Sequence, residues 1–233
     1  MDLIEGGIEH PIKHWYYSHK FWFIKNVFMP RSEKPRKLID IGAGSALFSS
    51  ELLRLNLVDS VVAVDTGYEE DYKNDYKNYA SGIEFRRHSD FKGFTDYLLT
   101  DVLEHIENDL SFLSEIVHEA PSNSQFVITV PALMSLWSNH DVFLKHFRRY
   151  TKKELEDLII QSGLTVDSSR YTYSTVFSLA YLQRRLSRKD APQSQLKENG
   201  KLVSVLLKIG LIPDKWMNHL PFGVSLFIVA HKP

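Results

Sequence analysis

Short apolar runs alternate along the chain with stretches in which apolar residues recur every three or four positions. The runs are Leu38–Ile41, Ser60–Val64, Ile83–Arg86, Tyr97–Thr100 and Phe126–Val130. Between them lie helical segments over 46–57, 69–80 and 104–119. Leu47, Phe48, Leu52, Leu53 and Leu55 give the first an apolar face, and Leu103, Ile106, Leu110, Leu113, Ile116 and Val117 do so for the third. The segment over 69–80 is polar and repeats Tyr-Lys-Asn at Tyr72 and Tyr76, four residues apart, so both tyrosines share a helical side. Strands alternating with helices predict an α/β fold: a parallel sheet with helices on both faces.

The two ends depart from this alternation. Residues 10–29 hold Trp15, Tyr16, Tyr17, Phe21, Trp22, Phe23 and Phe28, which predicts an aromatic helix packed on the main body. Pro30 and Pro35 then bracket a basic linker. Further along, Thr151 reads as a helix N-cap with Glu154 closing a capping box, Leu155, Leu158 and Ile159 face inward, and Gly163 stops the helix. Residues 164–173 alternate like a strand. Residues 174–212 form two apolar helical stretches around a polar loop, Ser187–Gly200, and Val224–Ala230 is a closing strand. The expected organisation is one unit over 1–233, with 174–212 inserted before the last strand as a lid.

Composition narrows the function classes. Across 233 residues, apolar residues make up 43% and charged residues 24%, an ordinary globular balance. The net charge is −1, which argues against a nucleic-acid partner for the chain as a whole. There is no cysteine, so disulfides, thiolate metal sites and cysteine nucleophiles are excluded. The acidic start, Met1 to Glu5, is unlike a signal peptide, and no apolar run is long enough to span a bilayer. A cytoplasmic location is expected, with room for contact at a membrane periphery.

The strongest chemical signal is Lys37-Leu-Ile-Asp40-Ile41-Gly42-Ala43-Gly44-Ser-Ala46-Leu47. A buried strand runs through two glycines into a helix. Glycine permits a sharp turn and close backbone approach, and the helix start offers N–H donors to a ligand carboxylate or phosphate. About twenty positions later Asp65 ends the second strand, where it can accept bonds from two ribose hydroxyls. Together they predict a nucleoside cleft. A dinucleotide loop would place glycine or alanine at Leu47, so NAD is disfavoured, and no Gly-Lys-Ser/Thr phosphate loop follows.

In these motifs the chain resembles the class I S-adenosylmethionine-dependent methyltransferases. Asp40, Gly42 and Gly44 match their first motif, with Ala46 standing where the last glycine would be. Leu99-Thr-Asp101-Val102-Leu103-Glu104-His105-Ile106 is similar to their segment after the fourth strand. The resemblance implies a Rossmann-like, seven-stranded, mostly parallel sheet with an antiparallel last strand. It implies S-adenosylmethionine as cofactor, held by Tyr17, Asp40, Ile41, Gly42, Ala43, Gly44, Asp65, Thr66, Asp101, Val102 and Leu103. Asp40 and the glycine backbone would face the methionine part and Asp65 the ribose.

Beyond the fifth strand, Leu136-Trp-Ser-Asn-His140-Asp141 and His146-Phe-Arg148-Arg149-Tyr150 resemble a subgroup acting in polysaccharide, lipid or small-metabolite pathways. The subgroup's N-terminal element is matched by His14-Trp15-Tyr16-Tyr17, while His19 and Lys20 replace its usual arginines. The expected reaction is methylation, first of oxygen and next of nitrogen, on a small-molecule, sugar or lipid-linked acceptor. His140 is the candidate base with Asp141 as its orienter, and His105 is the further catalytic candidate. Some metal-assisted O-methyltransferases use a Glu-His pair, which Glu104, His105 and His140 could imitate with Asp101. The same pair is common without metal, and none is expected. Arg148, Arg149, Lys152 and Lys153 form a basic cluster that could recruit an acceptor phosphate or carboxylate. Arg184, Arg185, Arg188 and Lys189, with Leu202–Ile212, could contact anionic lipid, or form a lid or dimer surface. The competing readings are an NAD-type oxidoreductase and a cofactor-binding partner protein without activity.

Overall fold

The computed structural model describes residues 11–29, 34–68, 82–186, 201–217 and 220–233. The polar helix expected over 69–80 and the loop Ser187–Gly200 lie outside the described residues.

Seven strands form one sheet: β1 (Lys37–Ile41), β2 (Ser60–Val64), β3 (Ile83–Arg86), β4 (Asp96–Thr100), β5 (Gln125–Pro131), β6 (Thr165–Thr172) and β7 (Ser225–His231). Their order is β3-β2-β1-β4-β5-β7-β6. β1 to β5 pair in parallel, and β7 runs antiparallel to both β5 and β6. The order reverses between β1 and β4, which opens a crevice at the carboxyl ends of those strands.

The inner strands are apolar on both faces because helices cover both, whereas the edge strands β3 and β6 carry polar, partly exposed residues. Ile39, Ile41, Tyr97, Leu99, Phe126 and Ile128 point into one core, with Leu113 and Ile116 of α3 (Asp109–Glu119) and Leu155 and Ile159 of α5 (Lys152–Gln161). Their sequence neighbours Leu38, Leu98 and Val127 point the other way, onto α1 (Trp15–Phe28) and α2 (Leu47–Arg54). This two-residue alternation divides each strand between two layers. Between α3 and α5 sits a short α4 (Asn139–Phe143).

Several expected boundaries move for identifiable reasons. The helix expected over 104–119 begins at Asp109, because Asn108 caps it by accepting from the Ser111 amide at 3.2 Å. Glu104 and His105 instead sit in a separate 3-10 turn, Leu103–His105. The α5 capping box forms as read: the Thr151 amide donates to Glu154 at 2.7 Å, and the Glu154 amide donates back to the Thr151 hydroxyl at 3.3 Å. Between β6 and β7 the chain forms α6 (Phe177–Leu186) and α7 (Lys201–Gly210), the latter packed on α1.

Candidate functional site

The crevice begins where β1 ends. Gly42 and Gly44 have φ of +66° and +52°, in the left-handed region that glycine tolerates. A side chain on Gly42 would also meet Val102: a Cβ placed there lies 2.7 Å from Cγ2. The Gly42 and Ala43 amides donate to the Val64 carbonyl at 2.8 and 3.1 Å, which folds the loop back over β2. Ala46, at the position of the missing glycine, keeps a left-handed φ of +52° and packs with Ala43, Ala63 and Tyr68.

Two carboxylates frame this loop. Asp40 is buried, and its Oδ2 accepts from the Ser49 hydroxyl at 2.6 Å. Its Oδ1 is buried without a hydrogen-bond partner, and burial pushes the carboxyl up to about 6. Asp65 accepts from the Gly44 amide at 2.9 Å and the Gly67 amide at 2.8 Å, one on each oxygen. A carboxylate offers about four lone-pair sites, so Asp65 retains capacity for sugar hydroxyls. Tyr68 donates to the Gly44 carbonyl at 2.7 Å and clamps the loop from outside. Thr66 is exposed, while the Ile41 and Ala43 side chains are buried and leave only backbone to a ligand.

Across the crevice, β4 ends at Asp101, whose φ is +56°. Its carboxylate is bonded to Lys20 of α1 and accepts from the Thr129 hydroxyl at 3.0 Å. Burial works to raise the pKa of this carboxyl, but Lys20 outweighs it and holds the value low. Val102 touches the glycine loop, whereas the Leu103 side chain is wholly inside the core. Tyr17 is also buried and packs on Phe48 of α2.

The loop after β5 supplies the opposite wall. Asp141 is fully buried and accepts from the Ser138 amide at 2.8 Å and from Arg149 Nε at 2.7 Å. The imidazole that it orients by a resolved bond is that of His146, whose Nδ1 lies 3.0 Å from Oδ1. His140, the expected base, is buried one residue before Asp141 in the first turn of α4, so Asp141 sits beside both imidazoles. The Phe147 amide donates to the Glu104 carbonyl at 2.7 Å, which draws this loop onto the Leu103–His105 turn. The His105 and His146 rings meet edge to face, 4.6 Å apart.

Glu104 lies beneath this pair, fully buried, with neither carboxylate oxygen hydrogen-bonded. Burial raises its pKa well above the carboxylate range, and the Asp101 charge acts in the same direction. Sequence reasoning named Glu104 and His105 but joined them to His140. His146 was legible only as part of the His-x-Arg-Arg-Tyr run.

Each member of the basic cluster read around Arg148 is paired with a carboxylate. Arg149 is buried on Asp141, and Arg148 pairs with Asp109 at 2.9 Å. Lys152 and Lys153 pair along α5 with Glu156 at 3.7 Å and Asp157 at 2.7 Å. Sequence also missed how α1 is anchored. His19 Nε2 lies 2.7 Å from Asp214 Oδ2, and Asp214 accepts from the Tyr173 and Ser174 amides at 2.8 and 2.7 Å. Tyr173 stacks on Tyr16 with ring centroids 5.0 Å apart.

A family model for a methyltransferase domain matches residues 15–169. No curated protein matches the chain significantly in sequence. Solved structures share its fold at low identity. The [4+2]-cyclase SpnF superposes with a TM-score of 0.61 at 11% identity, covering 98% of this chain and 85% of its own. A Bacillus halodurans protein assigned as a methyltransferase gives 0.58 at 13%, covering 91% and 98%. An S-adenosylmethionine-dependent methyltransferase from Mesorhizobium loti gives 0.58 at 12%, covering 91% and 97%. A cyclase among them shows that the scaffold alone does not fix the chemistry. The matched segment, however, runs from α1 through the glycine loop, Asp65 and the paired histidines, and by that match the chain belongs to the methyltransferase family and uses S-adenosylmethionine.

Proposed function

We propose that the chain methylates a hydroxyl oxygen on a small-molecule, sugar or lipid-linked acceptor. The observation that carries oxygen over nitrogen is the edge-to-face pair of imidazoles, His105 and His146. Asp101 and Asp141 are already paired, with Lys20 and with Arg149 and His146, and burial holds the unpartnered Glu104 toward its neutral form. The imidazoles of His105 and His146 suit a neutral hydroxyl better.

The cofactor residues fit their ligand. S-adenosylmethionine supplies an electrophilic methyl on a sulfonium sulfur, and it carries an ammonium group and a ribose. The buried, unpartnered Oδ1 of Asp40 is an acceptor suited to the ammonium. Asp65 suits the ribose hydroxyls, and the bare Gly42 keeps the loop against Val102. Tyr17, Ile41, Ala43, Gly44, Thr66, Asp101, Val102 and Leu103 complete the proposed contact set, Ile41, Ala43 and Leu103 through their backbone.

Transfer is an in-line displacement. The acceptor oxygen bonds to the methyl carbon as the carbon–sulfur bond breaks, and that bond's electron pair stays on sulfur. His140 takes the hydroxyl proton, while His105 and His146 hold the acceptor oxygen in line; Asp141 fixes His146. Helix α1, with α6 and α7 of the insertion, would cover the crevice and keep water out. The His19–Asp214 pair and the Lys20–Asp101 pair support this cover. The exposed apolar face of α7 would bring a lipid-linked acceptor from a membrane surface.

The test is an acceptor screen with mass spectrometry of the product and S-adenosylhomocysteine binding as the control. A methyl ether is the expected product. His140→Ala should lower kcat about 10²- to 10⁴-fold and leave S-adenosylhomocysteine affinity unchanged. An N-methyl product, or full activity in His140→Ala, overturns the reading.

A further inference from the structure

The Leu103–His105 turn and the loop ending at Arg149 converge on a set of donors that proton transfer alone does not explain. Glu104 is completely buried and neither carboxylate oxygen has a hydrogen-bond partner. Such a group is costly to bury, and an apolar side chain would fill the space without that cost. His105 and His146 stand over it: one ligand atom from each of Glu104, His105 and His146 lies within 4.8 Å of the other two.

The surroundings of His146 add an independent observation. Its Nδ1 is bonded to Asp141, and Asp141 is itself fixed by Arg149 and Ser138. That leaves Nε2 as the ligand atom. A carboxylate behind an imidazole fixes the tautomer and aims the second nitrogen, the usual support for a histidine that binds metal. The Phe147–Glu104 backbone bond holds the two loops in register, so the donors do not depend on side-chain packing alone.

We propose that Glu104, His105 and His146 bind one divalent first-row transition ion, with Asp141 as the positioning carboxylate behind His146. Two imidazoles and one carboxylate select zinc, cobalt, iron or manganese over magnesium and calcium, which prefer all-oxygen sites. Metal–ligand bonds of about 2.1 Å bring neighbouring ligands closer than the present spread, so a small inward rotation of the rings accompanies binding. His105 is only partly buried, which gives an ion a route in and leaves coordination positions open to the crevice. The role of the site rests on the O-methylation reading: a hydroxyl bound to such an ion loses its proton more readily. The binding itself does not rest on that reading.

The experiment uses the full chain, stripped with chelator and dialysed. Zinc, cobalt, manganese and magnesium salts are titrated by calorimetry, and cobalt is also followed by its visible absorption. One zinc or cobalt ion per chain should bind at micromolar or tighter concentration, with magnesium at least 100-fold weaker. Glu104→Gln and His146→Gln should each weaken binding by 100-fold or more, and Asp141→Asn by about 10- to 100-fold. S-adenosylhomocysteine affinity, measured on every variant, shows that each is folded. No saturable binding to the parent chain overturns the proposal, and so does binding unaltered in both Glu104→Gln and His146→Gln. Full methylation by the stripped chain without metal binding sinks this site and keeps the O-methylation reading. Metal binding with an N-methyl product does the reverse.

Discussion

Position 42 and position 46 share a left-handed backbone but differ in what surrounds them. At Gly42 a Cβ would press on Val102, a stiff β-branched side chain; at Ala46 the methyl already sits among small residues. Gly42→Ala should therefore cost about 1–3 kcal/mol from strain and overpacking and weaken S-adenosylhomocysteine binding. Ala46→Gly should stay within about 0.5 kcal/mol, because relief of backbone strain and loss of a buried methyl oppose each other. Denaturant midpoints with a ligand titration check both. Asp40 gives a pH prediction. Its carboxyl is raised to about 6 by burial, so between about pH 4 and 6 the folded chain holds a proton that the unfolded chain has lost. Stability from this group is then greatest below about pH 4 and falls as pH rises through 6. Asp40→Asn should flatten that fall, read as the difference between the two stability–pH curves. If the two curves run parallel over this window, Asp40 is ionised in the folded chain throughout. Both positions were legible as a strand–glycine–helix turn, but the Val102 contact was not, since it crosses from β1 to β4.

At the scale of elements, local signals read well and distant pairings did not. Strands β1 to β5 and β7 lie within a residue of the apolar runs, because a strand covered on both faces is apolar throughout, while the polar edge strand β6 was readable only from its alternation. The α5 start was readable because its capping box is written in four consecutive residues. The α3 start was misread because apolar spacing continued back to Leu103, while Asn108 holds the actual cap. Nothing local couples Lys20 to Asp101 or His19 to Asp214, and these pairs fasten α1 to the crevice and to the turn Pro213–Lys215 that follows the insertion. Asp214 is held below the usual carboxylate range because His19 and two backbone amides outweigh its burial. Its contribution is present above about pH 4 and is lost as pH falls through its lowered value. Asp214→Ala should leave His19 and the Tyr173 and Ser174 amides unpaired, at a cost of about 3–5 kcal/mol. Hydrogen exchange should quicken in α1 and around residues 173–177 while β1 and β4 stay protected. Uniform quickening would instead mean that α1 and the sheet unfold as one unit.

For the whole molecule, charge and apolar exposure are unevenly distributed. The chain as a whole carries −1, yet residues 174–217 hold eight Lys and Arg against three Asp and Glu. One of those three, Asp214, is fully buried and engaged by His19. In the same region Leu206, Ile209 and Trp216 are 59%, 56% and 76% exposed, and Lys208 is exposed beside them. No described helix is long and apolar enough to cross a membrane, and the membrane contact proposed for this face would be a surface one. Each lysine near an anionic surface adds about 1 kcal/mol, and Trp216 suits the headgroup boundary. The proposed delivery of a lipid-linked acceptor then predicts sedimentation with phosphatidylserine-containing vesicles at low salt, falling as salt rises through the Debye-screening range. Neutral vesicles should bind weakly. Ile209→Asp should reduce binding at least 10-fold and leave S-adenosylhomocysteine affinity intact, because α7 packs on α1 and holds none of the residues proposed to contact the cofactor. Absence of vesicle binding at low salt removes the membrane from this reading. Concentration-dependent self-association abolished by Ile209→Asp would assign the same face to a second copy of the chain.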